Sequence, residues 1–296
     1  MEQQANIDVN YKNMKIYTEF NADKIQYPLI LSVPHSGTYF PPEFLKITAF
    51  DEKNMRRNED LFVDELVQPA VEKGLTMLKM EVNRVFVDLN RDRLELDPSM
   101  YYNYPRDNDV LYDKHCRVGL GVVHRINFKR ENLYKGLLDY HEVEKRLKNV
   151  YDVYHNKLQK LIDKTIKKFG FCLVLDCHSM PSKICSIIDD RSGIDICLGN
   201  LFSQSCPREM SDFLAGQFWD KNYRVEFNCP YSGAFITFNY CQPRRSMYTL
   251  QLEINRGLYA DEENLQKNED FYEVADDVSE SIYALAQSLS RLKEPL

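Results

Sequence analysis

The sequence has no excess of positive charge and no long apolar run. Its 296 residues carry a formal net charge of −7. Proteins that bind nucleic acids or anionic membranes need a basic face to meet phosphates and release counterions. The longest apolar runs, such as YPLILSV, fall far short of the ~20 residues that span a bilayer. We therefore expect no nucleic-acid partner and no membrane partner, and an anionic small substrate would need local arginines.

Metal-binding cysteine pairs, a secretion signal and internal repeats are also missing. The eight cysteines form no CxxC pair and no zinc-finger spacing. The N-terminal MEQQANIDVN lacks the basic start and apolar core of a signal peptide. These absences predict a cytoplasmic protein with reduced thiols. Without repeats or Gly/Ser- or Pro-rich linkers, we predict a single domain over residues 1–296, with residues 1–27 as an N-terminal extension.

What the sequence does contain is a series of strand and helix patterns. Four apolar runs read as buried strands that end in polar residues, at 28–37, 77–91, 171–179 and 248–256. Apolar residues recur every three or four positions at 139–168 and again from Phe271 to Leu289, as in amphipathic helices. Strands that alternate with helices predict an α/β sandwich with a mainly parallel sheet. Ligands of such sheets bind beyond the carboxyl ends of the strands.

Two of the six histidines stand at the ends of predicted strands. His35 lies between a proline and a glycine in VPHSG, and His178 ends the buried run FCLVLDCHS. Because side chains of a strand alternate between its faces, Asp176 and His178 share one side and Cys177 points to the other. Imidazole is a common zinc ligand, and a nearby aspartate can orient it. For His178 alone, a polar strand end with a satisfied histidine is the alternative.

A catalytic zinc would also need a carboxylate. Such sites typically have three protein ligands and an open water position. The segment RRNEDLFVDEL offers Glu59, Asp60 and Asp64, which could equally form a solvated helix start. A further carboxylate, Glu253, lies among apolar neighbours in TLQLEINRGLY. Burial should raise the pKa of Glu253 as a general base near neutral pH requires, and a buried structural glutamate is the alternative.

Asn-Arg pairs recur along the chain, at Asn83-Arg84, Asn90-Arg91 and Asn255-Arg256. The planar fork of arginine fits carboxylates. These pairs are therefore compatible with an acidic substrate. For any single arginine, a surface position or an ion pair is the alternative.

Seven segments, taken in order, resemble the N-formylglutamate amidohydrolase family: VPHSG, EDLFVDEL, VNRVFVDLNR, LDCHSMP, DICLGN, NCPYSGAFIT and LQLEINRGLY. The resemblance covers roughly residues 28–262. That family is similar to the zinc carboxypeptidases and to the deacylases succinylglutamate desuccinylase and aspartoacylase. The resemblance therefore implies a zinc-hydrolase-like domain, built as a three-layer α/β/α sandwich around a mixed, mostly parallel sheet.

The resemblance also implies a ligand set for the metal. His35 matches the first zinc ligand of the relatives, and His178 matches the last. Where the relatives have an HxxE pair, this chain has Thr38 instead of the glutamate. Asp60 is then the expected second ligand, with Glu59 as the alternative. Zinc is the expected ion, although manganese, iron or cobalt could use the same ligands.

The remaining roles are implied in the same way. Asp176 would lie behind His178 as its hydrogen-bond partner, and Glu253 matches the catalytic glutamate that takes a proton from the attacking water and passes it to the leaving amine. Asn90-Arg91 resembles the pair that grips the carboxylate of the substrate. Other arginines could assist, namely Arg84, Arg93 and Arg256.

These roles imply a metal-dependent amidohydrolase that cleaves the N-acyl amide of a small, anionic N-acyl amino acid. One rival is a related zinc hydrolase with another N-acyl or peptide substrate, because residues 94–136 form a possible lid or specificity loop where the resemblance is thinnest. A second rival is a non-catalytic metabolite-binding descendant, which Thr38 favours and the presence of Glu253, His35 and His178 disfavours. A thiol hydrolase built on Cys177 or Cys229 is a third.

Overall fold

The computed structural model describes residues 4–5, 7–105, 109–188 and 193–292. The chain forms two compact units. The first unit comprises Met1–Thr18, Gly37–Glu59 and Met80–Lys157, and the second comprises Glu19–Ser36, Asp60–Lys79 and Leu158–Leu296. The segments of the two units interleave along the chain, so no linker in the sequence marks a boundary between them. The single domain over 1–296 and the extension at 1–27 stay predictions, and the loop predicted at 94–136 belongs to the first unit.

The strands are β1 (Gln4–Ala5), β2 (Tyr17–Phe20), β3 (Leu29–Val33), β4 (Thr76–Met80), β5 (Leu137–Leu138), β6 (Cys172–Met180), β7 (Ile196–Gly199), β8 (Val225–Phe227), β9 (Met247–Asn255), β10 (Ala260–Asp261) and β11 (Gln266–Lys267). The α-helices are α1 (Pro42–Ile47), α2 (Glu52–Arg56), α3 (Val63–Leu66), α4 (Gln68–Glu72), α5 (Lys114–Arg117), α6 (Tyr140–Arg146), α7 (Asp152–Phe169), α8 (Ser182–Ile188), α9 (Arg208–Trp219), α10 (Phe235–Asn239) and α11 (Phe271–Ser290).

A seven-stranded sheet of order β2-β4-β3-β6-β9-β7-β8 forms the centre of the fold. The pairs β3–β4, β3–β6, β6–β9 and β7–β8 are parallel, whereas β7 and β9 are antiparallel. Apart from Tyr17, Thr18 and Met80, the residues of this sheet belong to the second unit. The predicted α/β fold with a mixed, mostly parallel sheet is confirmed. Because β3, β6 and β9 run in the same direction, their carboxyl ends lie at one edge.

Alternating side chains give the sheet an apolar face covered by helices. The core of the second unit contains Leu173, Leu175 and Cys177 of β6, and Leu250 and Leu252 of β9. Apolar residues of α3, α4, α9 and α11 pack against them. Full burial of one aliphatic side chain of this size contributes about 1.5–3 kcal/mol. This packing fixes the register of the strands and sends the intervening polar residues to the opposite face.

The predicted strand at 77–91 ends as a strand at Met80. The polar residues beyond it form turns instead. In these turns, side-chain oxygens accept hydrogen bonds from backbone N–H groups, as the carbonyl oxygens of a neighbouring strand do in a sheet. Asn83 Oδ1 accepts a hydrogen bond from the N–H of Val85 at 3.0 Å, and Asp88 Oδ1 accepts one from the N–H of Asn90 at 2.8 Å. Local bonds of this kind compete with a strand ladder.

The two predicted amphipathic helices are present. In 139–168 the chain is helical from Tyr140 to Phe169, with a π-helical turn at Leu147–Tyr151. Gly170 follows with φ 84°, a left-handed conformation that suits glycine at a helix end. Within the described residues, no helix combines the length and apolar character of a membrane span.

Candidate metal centre

Buried polar residues cluster at the carboxyl ends of β3, β6 and β9 in the second unit. The register of the parallel strands places His178 directly beside Glu253. His35 lies two residues beyond the end of β3, and the N–H of Asp60 donates to the carbonyl oxygen of His35 at 3.1 Å. The sheet therefore brings together residues that are far apart in sequence.

His35, Asp60 and His178 form a buried group of possible metal ligands. One donor atom of each lies within 4.8 Å of the others. His178 Nδ1 lies 2.8 Å from Asp60 Oδ2, and His35 Nδ1 lies 3.4 Å from the same oxygen. The two imidazole rings are 4.9 Å apart between centroids. Two imidazoles and one carboxylate are a donor set typical of catalytic zinc sites, so these residues fit a divalent ion.

The second ring nitrogen of His178 faces Asp176. Nε2 lies 2.7 Å from Asp176 Oδ2, and Ser32 Oγ donates to Asp176 Oδ1 at 3.0 Å. A carboxylate that accepts a hydrogen bond from Nε2–H fixes the tautomer and ring orientation, and leaves Nδ1 as the ligand atom. The two-residue spacing of Asp176 and His178 on one strand face produces this contact.

The local backbone holds Asp60 in place. Ser36 Oγ donates to the carbonyl oxygen of Asp60 at 3.0 Å, and Tyr259 Oη donates to the carbonyl oxygen of Leu61 at 2.9 Å. Phe62 then adopts a left-handed conformation with φ 58° before α3 begins. For a bulky residue this conformation costs on the order of 1–3 kcal/mol, and such strain is typical of functional sites.

Glu253 is 7% exposed and is oriented by its own strand. Gln251 Nε2 donates to Glu253 Oε1 at 2.8 Å, and Thr237 Oγ1 of α10 donates to Gln251 Oε1 at 3.4 Å. This chain of hydrogen bonds was not predicted from the sequence. The sequence feature that could have indicated these hydrogen bonds is the NCPYSGAFIT segment. It contains Thr237, and no role was predicted for it from the sequence.

The charges of this cluster favour a cation. Burial by itself would lower the pKa of His178. The carboxylates of Asp176, Asp60 and Glu253 outweigh burial and raise the pKa well above its ordinary value. A divalent ion would compete with this proton for the same group of acceptors, so metal binding would release it.

Arg256 belongs to the same cluster. Its guanidinium donates through Nε to Ser179 Oγ at 2.8 Å and through Nη2 to Asp60 Oδ1 at 3.1 Å. The side chain is buried, with 8% of the residue exposed. Arg256 was predicted as a helper in substrate binding, and the structure places it against a possible metal ligand.

The other predicted substrate-binding residues, Asn90, Arg91 and Arg84, belong to the first unit. Arg84 Nη2 donates to Asp88 Oδ2 at 2.8 Å. Arg91 Nε donates to the carbonyl oxygen of Leu120 at 2.9 Å, and Nη1 donates to that of Asn90 at 2.8 Å. Both guanidinium groups are half-buried and anchored, and their role in binding substrate stays a prediction.

The alternative carboxylates of RRNEDLFVDEL have other partners. Glu59 accepts from Arg56 Nε at 3.1 Å and from Asn83 Nδ2 at 2.7 Å. Asp64 forms an ion pair with Lys79. Across the described ranges, neither carboxylate belongs to a group of possible metal ligands. The structure therefore favours Asp60 among the three.

A second group of possible ligands, Glu95, Asp113 and His115, lies in the first unit. His115 Nδ1 is 3.0 Å from Glu95 Oε2 and 2.8 Å from Asp113 Oδ2. Asp113 also caps α5 by accepting from the N–H groups of His115 and Cys116. Helix capping accounts for the position of Asp113, and the hydrogen bond with His115 Nδ1 accounts for Glu95, which is the one buried residue of the three.

The thiol alternative receives little support at Cys177. Burial raises the pKa of the Cys177 thiol well above its ordinary value, and Asp176 raises it further. The side chain lies in the apolar core of the second unit. Because the thiolate is the reactive form, such a cysteine is a poor nucleophile. Cys229 is exposed.

Together, the fold and the site define an α/β protein whose central sheet carries a candidate metal centre at the strand ends. The sequence profile of the N-formylglutamate amidohydrolase family matches residues 27–260. The chain therefore belongs to that family.

Named relatives agree with this assignment. The chain is 27% identical to an N-formylglutamate deformylase of Pseudomonas putida, over 79% of this chain and 82% of the relative. It is 28% identical to the N-formylglutamate deformylase of Pseudomonas aeruginosa, over 80% and 83%. The crystal structure of N-formylglutamate amidohydrolase from Ralstonia eutropha JMP134 superimposes with a TM-score of 0.87 at 26% identity, and covers 94% of this chain and 99% of that one. A gene product of Agrobacterium tumefaciens, Atu2144, shares the fold at 16% identity, with a TM-score of 0.65.

Proposed function

We propose that this protein is a metal-dependent amidohydrolase that removes the formyl group of N-formyl-L-glutamate or of a closely similar N-acyl amino acid. The observation that carries the proposal is the buried His35–Asp60–His178 group with Glu253 beside it. A carboxylate next to a metal site is what a hydrolase needs to activate water. The names of the relatives support formyl hydrolysis in particular.

Each residue of the centre has a chemical task in this proposal. His35, Asp60 and His178 would hold the ion, with zinc as the best match to two imidazoles and one carboxylate. The ion supplies Lewis-acid polarisation of the amide carbonyl and of water when it is bound. Asp176 holds the His178 ring in the orientation that offers Nδ1.

Glu253 is the proposed general base and acid. Its carboxylate accepts the proton of the attacking water and then gives it to the nitrogen of the leaving amino acid, so formate and a free amine result. The hydrogen bond from Gln251 holds Oε1, and this restricts the rotation of the carboxylate. Preorganisation of this kind lowers the cost of reaching the reactive geometry.

Arg91 and Arg84 are the proposed ligands for the carboxylates of the substrate, with Asn90 beside them. The side chains of Arg84 and Arg91 are anchored by hydrogen bonds within the first unit. A guanidinium held in place loses little entropy when it binds a carboxylate. The proposal also includes three features of the whole protein: a three-layer α/β/α sandwich of zinc-carboxypeptidase type, a single domain and a cytoplasmic location.

The test is release of formate from N-formyl-L-glutamate by the purified protein, before and after treatment with a chelator and after zinc, manganese, cobalt or iron is returned. We expect hydrolysis that the chelator abolishes and one of these ions restores. N-formyl-L-alanine, which lacks the side-chain carboxylate, serves as the control substrate and should react poorly. Hydrolysis that survives complete metal removal, or none with any ion, would contradict the proposal.

A further inference from the structure

Arg256 makes contacts that a substrate-binding arginine would not need. Its Nη2 donates to Asp60 Oδ1 at 3.1 Å and to the carbonyl oxygen of Ser179 at 3.2 Å, while Nε donates to Ser179 Oγ at 2.8 Å. Asp60 is a possible metal ligand, and Ser179 follows another, His178. The guanidinium thus joins the two segments that carry these ligands.

The two oxygens of Asp60 have different surroundings. Oδ2 faces both imidazoles, at 2.8 Å from His178 Nδ1 and 3.4 Å from His35 Nδ1. Oδ1 accepts from Arg256. A carboxylate whose outer oxygen is held by a charged donor cannot easily rotate, and it presents one defined oxygen on its inner side.

The backbone that carries Arg256 is fixed as well. Asn255 Oδ1 accepts from the N–H of Gly257 at 3.0 Å, and Asn255 Nδ2 donates to the carbonyl oxygen of Ile194 at 2.9 Å. A Cβ atom at position 257 would lie 3.0 Å from Ser182 Cβ, so the turn is closely packed. Arg256 is therefore presented from a rigid strand end, directly after the strand that carries Glu253.

The charge of the cluster gives Arg256 a second task. Asp60, Asp176 and Glu253 contribute three negative charges when they are ionised, and Arg256 contributes one positive charge. A divalent ion with neutral imidazoles would bring the sum to zero. Without the arginine, the carboxylates would repel one another more strongly and their arrangement would be harder to hold.

We propose that Arg256 is a positioning residue that holds Asp60 Oδ2 toward the two imidazoles, and that it does not bind the substrate. The proposal rests on the proposed function only in treating His35, Asp60 and His178 as metal ligands. It reassigns an arginine that the sequence pattern suggested for substrate binding.

The primary experiment measures the zinc dissociation constant by competition with a chromophoric chelator. We expect Arg256→Met to weaken zinc binding by about 10- to 100-fold, the usual effect of losing a residue that orients a metal ligand. Arg256→Lys keeps the charge but loses the fork, so its effect should be intermediate. The matched control is Arg224→Met, because Arg224 binds Asp195 through Nε and Nη2 at 2.8 and 2.6 Å, outside the ligand group.

Substrate kinetics at saturating zinc separate the two roles of Arg256. A positioning role predicts that the KM for N-formyl-L-glutamate in Arg256→Lys stays near that of the wild type once zinc is saturating. A role in substrate binding predicts unchanged zinc affinity and a raised KM, and this result would overturn the proposal. Failure of all ions to bind the wild-type protein would overturn it too.

If Arg256→Met does not fold, Ser179→Ala tests the same contacts in a variant that keeps the arginine. It removes the hydroxyl that accepts from Nε, and we expect a smaller but measurable loss of zinc affinity. Unaltered affinity in both Ser179→Ala and Arg256→Lys would count against the proposal. A protein that binds zinc in an Arg256-dependent way but does not hydrolyse N-formyl-L-glutamate would contradict only the proposed function.

Discussion

His178 of the second unit and His124 of the first unit are both buried, each 3% exposed, and each bonds an aspartate through Nε2. The distance is 2.7 Å from His178 to Asp176 and 3.0 Å from His124 to Asp88. Burial favours the neutral ring in both cases. Nevertheless the pKa of His178 is raised well above its ordinary value, whereas the pKa of His124 is lowered.

The remaining neighbours explain the difference. His178 also faces the carboxylates of Asp60 and Glu253, which favour its protonated form. His124 also faces the guanidinium groups of Arg84 and Arg91, which add to the effect of burial, and one aspartate does not compensate. The first cluster therefore carries the excess of negative charge that a cation site requires, whereas two arginines act on His124 in the second. A histidine–aspartate pair does not define a metal site until its other neighbours are known.

The largest expected effect tests this contrast directly. Replacement of His178 by alanine should reduce bound metal from about one ion per chain to nearly none, because two ligands rarely hold zinc. His124→Ala is the control and should keep its metal. Elemental mass spectrometry of the purified variants measures both. Equal metal content in the two variants would show that the clusters do not differ in this way.

The next prediction concerns the base beside the candidate metal centre. Glu253→Gln should lower kcat by about 10²–10⁴-fold, because the amide cannot accept the proton of water. Metal content should be unchanged, since the carboxylate is not among the three possible ligands. Glu226→Gln is a control on strand β8, two strands away in the same sheet, where the side chain is exposed. Full activity in Glu253→Gln would remove the residue from the mechanism.

The sequence could predict the sheet and the meeting point of its strand ends because both follow from simple periods. Buried runs with a period of two predict the faces of β6 and β9, and parallel strands end at one edge. This reasoning placed His35 and His178 near each other. The resemblance to the family added Asp60, which the structure groups with them.

The direction of individual polar side chains could not be predicted. Glu59 and Asp60 are adjacent in sequence, and their tertiary contacts distinguish them, because Glu59 accepts from Asn83 whereas Asp60 faces His178. Arg256 could have pointed toward a substrate, and its hydrogen bond to Asp60 joins residues 196 positions apart. Long-range polar contacts leave no periodic pattern in a sequence.

A smaller effect is expected for Arg91, one of the two arginines that act on His124 in the first unit. Arg91→Ala should raise the KM for N-formyl-L-glutamate by about 10- to 100-fold, because a hydrogen bond to a charged group contributes about 1.5–3 kcal/mol. The KM for N-formyl-L-alanine should change less, and metal content should not change. Kinetics on both substrates measure the difference. An equal rise for both substrates would argue against recognition of the acidic side chain.

The smallest expected effect is the pH dependence of stability that His124 contributes. A histidine whose pKa is lowered by folding takes up a proton in the unfolded chain, at pH values below about 6.5, before it does so in the folded protein. The free energy of unfolding should therefore fall as the pH falls, by at most about 1.4 kcal/mol per pH unit from this residue. Nδ1 of His124 is buried without a hydrogen-bond partner among the described residues, so a proton there would be uncompensated.

The measurement is urea unfolding between pH 7 and pH 5 for the wild type and His124→Gln. Glutamine removes the titration, and its longer side-chain amide replaces Nε2 as the donor to Asp88. The contribution of His178 is common to both proteins. The variant should lose stability less steeply with falling pH, whatever its absolute stability. An equal or steeper slope would mean that Asp88 outweighs burial and the two arginines, and the contrast between the two histidines would then disappear.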